Sequence, residues 1–169
     1  MFYDSRMADV YLGLGSNKGD RMANLRAALE RLAPAIAVRK ASALYESRPM
    51  YLEDQNLFYN MAIHGTTELA PFDLFQFVKA VEQAIGRTVG PRNGPREIDI
   101  DILLYDDLIL DTSELTIPHP RMHERLFVMA PLEEIAPLVE HPLHKKLMVE
   151  IRDELGGFGE TIWEIEERI

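Results

Sequence analysis

The segment GPREIDIDILLYDD constrains the fold most strongly, because acidic residues and isoleucines alternate along it. Glu97, Asp99 and Asp101 take every second position, and an isoleucine follows each of them. A period of two is typical of a β-strand with one buried, apolar face and one polar face. Same-face neighbours are roughly 7 Å apart, so the carboxylates are either hydrated, as on an ordinary edge strand, or share a cation.

The segments around this strand alternate between strand and helix patterns. Predicted strands lie at 10–14, 37–47 and 58–67, and predicted helices at 20–33 and 70–86. Asp106 and Asp107 are expected to turn the acidic strand into a hairpin with 108–118, and 144–155 is predicted to form a C-terminal helix. The order β-α-β-β-α-β predicts an α+β, ferredoxin-like fold. Such a fold is a split β-α-β antiparallel sheet with both helices on one face, here with an added hairpin and the C-terminal helix.

Composition favours one soluble domain over 1–169, with 1–8 as a flexible extension. The 169 residues are 47% hydrophobic, which is enough for one continuous core. Cysteine is absent, which excludes disulfides, thiol nucleophiles and thiolate metal sites. A net charge of −10 disfavours a nucleic-acid partner, and no apolar run reaches the roughly 20 residues of a membrane span. We expect a cytoplasmic monomer that acts on small molecules, without nucleic acid or membrane.

Basic side chains flank the acidic strand despite the negative net charge. Arg87, Arg92 and Arg96 precede it in a glycine-rich loop. Acids for a divalent cation next to arginines for phosphate oxygens are the combination that phosphoryl transfer uses. Because magnesium keeps several waters, two of the acids suffice as protein ligands, and their spacing does not decide which two.

The segment PHPRMHERLF, which follows the predicted hairpin, is a second basic stretch. It is either a solvated loop or an anion clamp made by His119, Arg121, His123 and Arg125, because arginine forks suit phosphate oxygens. A zinc site from His119 and His123 is disfavoured. That pair lies in a proline-broken segment without other soft ligands.

Two further segments each leave a structural and a functional alternative open. GLGSNKGD has Lys18 where a dinucleotide fingerprint needs glycine. The segment is either a tight turn, followed by a helix that Asp20 or Asn17 caps, or a place where the backbone approaches a ligand. The loop ESRPMYLEDQNLFYN mixes aromatic and amide side chains, which fill a core or sandwich a flat heterocycle. Glu82 is expected on the surface of the second helix, paired with Lys79.

Four motifs together resemble the 6-hydroxymethyl-7,8-dihydropterin pyrophosphokinases of folate synthesis. These motifs are GLGSN, DQNLFYN, GPREIDIDILLYD and PHPRMHERLFVMAPLEEIAP, and the resemblance covers about residues 10–155. The resemblance implies a ferredoxin-like fold and transfer of a pyrophosphoryl group from ATP to the hydroxymethyl oxygen of a dihydropterin. It also implies AMP as the product and two Mg²⁺ ions that bridge the phosphates. No covalent intermediate is needed, and the residues do not single out a general base.

The resemblance also implies a set of site residues. Asp99 and Asp101 match the metal ligands, whereas Glu97 lies outside the family's pair. The residues that match the catalytic and nucleotide side are Glu82, Arg87, Arg92, Arg96, Ile102, His119 and Arg125. The residues that match the pterin pocket are Ser47, Arg48, Met50, Phe58, Asn60 and Phe127.

Three positions depart from the family pattern. Asn93 stands where many members have a tryptophan, and Arg48 stands where a proline is familiar. Val89 lies near the place of a second early arginine, for which Arg92 is the candidate substitute.

Two other functions stay open as alternatives. A ferredoxin-like module that binds a metabolite without chemistry would not explain acids beside arginines, and a phosphate-ester hydrolase would release phosphate without a pterin.

Overall fold

An antiparallel six-stranded sheet forms the centre of the protein in this computed structural model, which describes residues 6–49, 54–86, 94–156 and 162–169. The strands are β1 (Ala8–Ser16), β2 (Ala37–Ala41), β3 (Tyr45–Ser47), β4 (Phe58–Thr67), β5 (Asp99–Tyr105), β6 (Leu110–Asp111), β7 (Thr116–Ile117) and β8 (Ile162–Glu164). The helices are α1 (Arg21–Leu32), α2 (Pro71–Ile85), α3 (Leu126–Ile135) and α4 (Met148–Leu155), and a 3₁₀ turn spans Met122–Glu124. The sheet order is β5-β1-β4-β3-β8, with β2 also paired to β4. None of the helices in these ranges is long and apolar enough to cross a membrane.

The two faces of the sheet pack against different helices. On one face, apolar side chains such as Leu12, Ile63 and Ile100 form a core with α1 and α2. On the other face, Ala62 and Leu104 pack with α3, α4 and the 3₁₀ turn. The mixed α and β composition and the antiparallel sheet therefore agree with the α+β class predicted from the sequence.

Local chemistry sets the ends of the first two helices. The Asp20 carboxylate accepts a hydrogen bond from the Ala23 amide at 3.0 Å and caps α1, as predicted. Pro71 opens α2, and Gly86 ends it with a φ of 107°, which favours glycine. Both helices agree with the prediction within one residue, β4 agrees at both ends, and α4 confirms the C-terminal helix.

Two strand predictions are wrong for identifiable reasons. Segment 37–47 forms two short strands because the Ser42 hydroxyl accepts the Ala62 amide hydrogen at 2.9 Å, which interrupts the backbone pairing. The acidic strand has no hairpin partner in 108–118, because β6 pairs with β7 instead. Asp106 holds the end of β5 to β1: its amide donates to Asp9 O at 2.7 Å, and its carboxylate accepts the Asp9 amide at 2.8 Å.

Three further features were not predicted. Helix α3 is apolar on nearly all sides, with six buried residues, so it lacks the amphipathic period that marks α1 and α2. Strand β8 is only three residues long and joins the sheet beside β3. Ala8 is 3% exposed and begins β1, so it belongs to the sheet and not to the extension expected over 1–8.

Strand β5 places isoleucines and aspartates on opposite faces, as predicted. Ile100 and Ile102 are at most 5% exposed, whereas Asp99 and Asp101 are half-buried on the other face. The strand begins at Asp99, so Glu97 precedes it, and the Glu97 carboxylate forms an ion pair with Lys18 Nζ at 3.1 Å. The row of three acids is therefore two strand aspartates and one acid in an ion pair.

Candidate active site

The two aspartates of β5 stand beside glycines of β1. Asp99 pairs with Gly15, and Asp101 pairs with Gly13. Directly opposed residues point to the same face, so no β1 side chain stands beside either carboxylate. A Cβ on Gly15 would lie 3.4 Å from Asn60 Oδ1, on β4. The two glycines of GLGSN therefore form the floor of a cavity.

This first cavity brings the aspartates together with the predicted pterin residues. Its lining combines charged, amide, hydroxyl and aromatic side chains. They come from Ser47, Arg48, Phe58, Asn60, Arg96, Asp99, Asp101, Arg125 and Phe127. Every predicted pterin residue among those that the structure describes lines this cavity, whereas Met50 lies outside the described residues.

The amide of Asn60 is oriented by hydrogen bonds inside the sheet. Its Nδ2 donates to Ser47 Oγ at 2.8 Å and to the Tyr45 carbonyl at 3.2 Å. Two acceptors at Nδ2 fix which way the amide points, so Oδ1 is the atom that lies over the cavity floor, where it can accept a hydrogen bond. With the rings of Phe58 and Phe127 in the same lining, the cavity suits a flat heterocycle that carries N–H donors.

Asn17, in the turn after β1, joins three parts of the site and was not among the predicted site residues. It is fully buried, and its Oδ1 accepts the Arg96 amide hydrogen at 2.8 Å. Its Nδ2 donates to Gln55 Oε1 at 3.0 Å and to the Asn56 carbonyl at 3.3 Å. The turn therefore holds Arg96, whose guanidinium lies 3.5 Å from Asp99 Oδ1, and the loop that leads to β4.

A second cavity shares Asp101 with the first. It lies between α2, β5 and the segment that contains β7. Its lining includes Phe75, Lys79, Asp101, Ile102, Thr116 and His119. Ile102 and His119 were predicted on the nucleotide side, so the structure separates them from the pterin residues while Asp101 borders both cavities.

His119 is anchored next to Asp101 by the backbone of β5. Its amide donates to the Leu103 carbonyl at 3.0 Å, where β5 has one extra residue relative to β1. Burial lowers the pKa of His119, although the nearby Asp101 carboxylate raises it and the Arg125 guanidinium lowers it. The ring is therefore neutral at pH 7 and can donate or accept a hydrogen bond without adding charge.

Glu82 was expected on the surface and is instead fully buried. Its Oε1 accepts hydrogen bonds from Lys79 Nζ at 2.8 Å, which confirms that pairing, and from the Ile100 amide at 3.3 Å. Ile100 lies between the two aspartates, and its amide points away from β1, toward the open edge of the sheet. Glu82 therefore satisfies an edge amide that would otherwise lack a partner in the sheet.

Several predicted residues fall outside the described residues. Arg87 and Arg92 belong to this group, as do Val89 and Asn93. Their roles stay predictions. The arginines that the structure describes at the site are Arg48, Arg96 and Arg125, and all three line the first cavity.

The sequence also matches a known family. A family model described as 7,8-dihydro-6-hydroxymethylpterin-pyrophosphokinase matches residues 11–137. This chain belongs to that family. The matched range contains every predicted site residue, both cavities and the Asn17 turn, so the family assignment made from four sequence motifs is confirmed.

Relatives of this chain include single enzymes and longer proteins. The 2-amino-4-hydroxy-6-hydroxymethyldihydropteridine pyrophosphokinase of Aquifex aeolicus is 44% identical over 148 residues, which are 88% of this chain and 92% of that protein. The Bacillus subtilis enzyme of the same name is 48% identical over 78% of this chain and 80% of its own length. A folic acid synthesis protein of Dictyostelium discoideum is 47% identical over 79% of this chain, which spans only 20% of that protein.

Solved structures share the fold at low sequence identity. The wild-type HPPK-DHPS of Plasmodium falciparum superposes with a TM-score of 0.72 and 14% identity. The match covers 88% of this chain and 45% of the Plasmodium chain. The chain therefore corresponds to about half of that structure, and the likeness concerns the fold alone.

Proposed function

We propose that this chain transfers the pyrophosphoryl group of ATP to the hydroxymethyl oxygen of 6-hydroxymethyl-7,8-dihydropterin, giving the pterin diphosphate and AMP. Family membership supports this reaction and its place in folate biosynthesis. The observation that carries the proposal is that Asp101 borders two cavities of different chemistry. A carboxylate between two substrate compartments is well placed to act where groups pass from one substrate to the other.

In this proposal the first cavity binds the pterin. Asn60 Oδ1 accepts an N–H of the heterocycle, and the rings of Phe58 and Phe127 contact its flat faces. The Asn60 amide is already held by Ser47 and by the Tyr45 carbonyl, so little conformational entropy is lost on binding. Arg48 lies at the same wall and takes the place of the proline familiar in this family.

The second cavity binds the nucleotide. Ile102 and Phe75 provide apolar surface, and Lys79, Thr116 and His119 provide polar groups. Arg96 and Arg125, in the first cavity, face the phosphate chain as it passes Asp101. Glu82 acts on this side indirectly. It is buried next to β5, where its carboxylate accepts hydrogen bonds from Lys79 Nζ and from the Ile100 amide.

Asp99 and Asp101 are the proposed ligands of two Mg²⁺ ions. The fit rests on the donor set, because carboxylate oxygens on one strand face, opposite glycines and beside Arg96, match the preference of magnesium for oxygen ligands and retained waters. When bound, the ions would neutralise the negative charge of the phosphates.

The residues of the chain contribute mainly by position and charge. Arg96 and Arg125 stabilise the negative charge that grows as the bond between the β-phosphorus and the α-phosphate oxygen breaks and AMP leaves. Phe58, Asn60 and Phe127 hold the substrate so that its hydroxyl oxygen lies in line with the β-phosphorus. Arg87 and Arg92 are proposed to join the phosphate contacts.

The finer structural predictions belong to the same proposal. We propose a ferredoxin-like arrangement, which the strand order β5-β1-β4 with β2 beside β4, and both α1 and α2 on one face, support. A monomer in the cytoplasm stays the expectation from the sequence. Activities of the longer relatives beyond the matched part are not assigned to this chain.

The product of ATP tests the proposal. Incubation with Mg-ATP and 6-hydroxymethyl-7,8-dihydropterin is expected to yield AMP in equal amount to the pterin diphosphate, measured by anion-exchange chromatography. ADP as the main product, or phosphate released without a pterin, would contradict pyrophosphoryl transfer. Asp101→Asn should abolish AMP formation, whereas Glu97→Gln, a matched change at the acid that pairs with Lys18, should leave most of it.

A further inference from the structure

Three histidines meet on the face of the protein that α3 and α4 cover. His123 lies in the 3₁₀ turn, and His141 and His144 lie in the connection between α3 and α4. The ring of His144 is 4.3 Å from that of His123 and 4.4 Å from that of His141, measured between centroids. One nitrogen from each ring falls within 4.8 Å of the other two. No sequence motif brings these residues together, because His123 is far from the other two along the chain.

Two nitrogens of this cluster are buried without a hydrogen-bond partner among the described residues. They are Nδ1 of His123 and Nε2 of His141. His141 is only 1% exposed. Buried polar atoms are almost always satisfied in folded proteins, so two orphan nitrogens in one cluster indicate a missing partner. His144 is exposed and gives this position access to solvent.

We propose that His123, His141 and His144 form a binding site for one divalent cation of the zinc class, separate from Asp99 and Asp101. Imidazole nitrogen is a preferred ligand of Zn²⁺, Co²⁺ and Ni²⁺, whereas Mg²⁺ selects oxygen. Three histidines and one water complete a tetrahedral site. Ligand nitrogens in such a site are about 3.4 Å apart, so the most widely separated pair must close by up to about 1.4 Å, to which movement of the exposed His144 side chain contributes.

The surroundings of two rings suit this role to different degrees. His123 Nε2 lies 3.7 Å from Glu124 Oε1, so its N–H faces a carboxylate when Nδ1 binds a metal, as is usual for metal-bound histidines. His141 Nδ1 accepts the amide hydrogens of Leu143 and His144 at 3.2 and 3.1 Å, which fixes the ring and leaves the proton on Nε2. Binding at Nε2 requires the ring proton to move to Nδ1, which ends its acceptance of the two amide hydrogens, so we expect weaker binding than in a closed structural zinc site.

A metal here would connect the active-site loop to the rest of this face. The turn Met122–Glu124 lies between His119 and Arg125, which border the two cavities. A cation held by His123, His141 and His144 would fix this turn to the connection before α4. The site would thus stabilise the loop without touching either substrate.

Cobalt titration of the untagged full chain tests the proposal. Excess Mg²⁺ is kept present to occupy Asp99 and Asp101, and binding is followed by the visible d–d absorption of Co²⁺ and by displacement with Zn²⁺. One equivalent of Co²⁺ should bind with bands typical of nitrogen ligands, and Zn²⁺ should raise the Tm of the chain. Absence of those bands would overturn the proposal.

Three variants separate this site from other metal binding. His144→Ala removes an exposed ligand, and His141→Asn removes Nε2 while keeping an acceptor for the two amides, so both should fold, as checked by circular dichroism. Each should weaken Co²⁺ binding at least about tenfold. His64→Gln, at a histidine of β4 that pairs with Asp9 of β1, should leave Co²⁺ binding unchanged. Equal affinity in all three variants would place the metal elsewhere and refute the site.

Discussion

Asn17→Ala should separate the structural support of the active site from its chemistry. Asn17 is buried, and its side chain makes three hydrogen bonds, to the Arg96 amide, to Gln55 Oε1 and to the Asn56 carbonyl. The substitution removes all three and leaves the Arg96 amide without its acceptor. Asn17 itself lines neither cavity, so any loss of activity comes through Arg96 and the loop before β4, which it holds in place.

The expected magnitude follows from these bonds. At about 1 kcal/mol net for each hydrogen bond, the free energy of unfolding falls by about 3 kcal/mol. For a chain of 169 residues this corresponds to a Tm about 6–12 °C lower. Displacement of the Arg96 guanidinium by about 1 Å should lower kcat/KM by about 100-fold.

The assay combines urea unfolding with steady-state AMP formation for wild type, Asn17→Ala and the control Asn24→Ala. Asn24 Nδ2 donates to the Lys18 carbonyl at 2.9 Å and to Ser16 Oγ at 3.3 Å in the same turn, without contacting Arg96. The control should lose stability and keep most of its kcat/KM. If both variants lost kcat/KM equally, or if Asn17→Ala unfolded like wild type, the supporting role of Asn17 would be refuted.

Three further predictions concern the cavities and the histidine cluster. Asp101→Asn should lower kcat by at least about 10³-fold with little change in the urea midpoint, because the buried face of β5 is untouched. Gly15→Val should weaken pterin binding at least about tenfold and leave ATP binding intact by calorimetry, because a Cβ already reaches 3.4 Å from Asn60 Oδ1. Stability should fall as pH drops from about 6.5 to about 4, because unfolded His141 takes up a proton that the folded ring, with its lowered pKa, does not. His141→Asn should flatten that pH profile in urea titrations, and an unchanged profile would exclude His141 as its source.

The strand of alternating acids could be predicted because its period of two survives in the folded protein. The isoleucines of β5 are buried and the aspartates face a cavity, as the sequence indicates. The choice of Asp99 and Asp101 over Glu97 came from family resemblance. That choice stays a prediction, and the structure supports it, because Glu97 precedes the strand and pairs with Lys18.

Other parts of the site could not be predicted, because they depend on contacts between distant segments. The burial of Glu82 follows from its hydrogen bond to Ile100, 18 residues further along the chain. The role of Asn17 depends on Arg96, 79 residues away. The available sequence signal for Asn17 was its position, after Gly13 and Gly15 and before the helix cap Asp20. Helix α3 gave none, because an all-round apolar segment shows no period.

The most direct test of the account is whether magnesium binds through Asp99 and Asp101. Calorimetry with a non-hydrolysable ATP analogue, with and without Mg²⁺, measures this for wild type and for the Asp99→Asn, Asp101→Asn double variant. Mg²⁺ should tighten analogue binding at least about tenfold in the wild type and have almost no effect in the double variant. An equal Mg²⁺ effect in both proteins would contradict the assignment of these aspartates as the metal ligands.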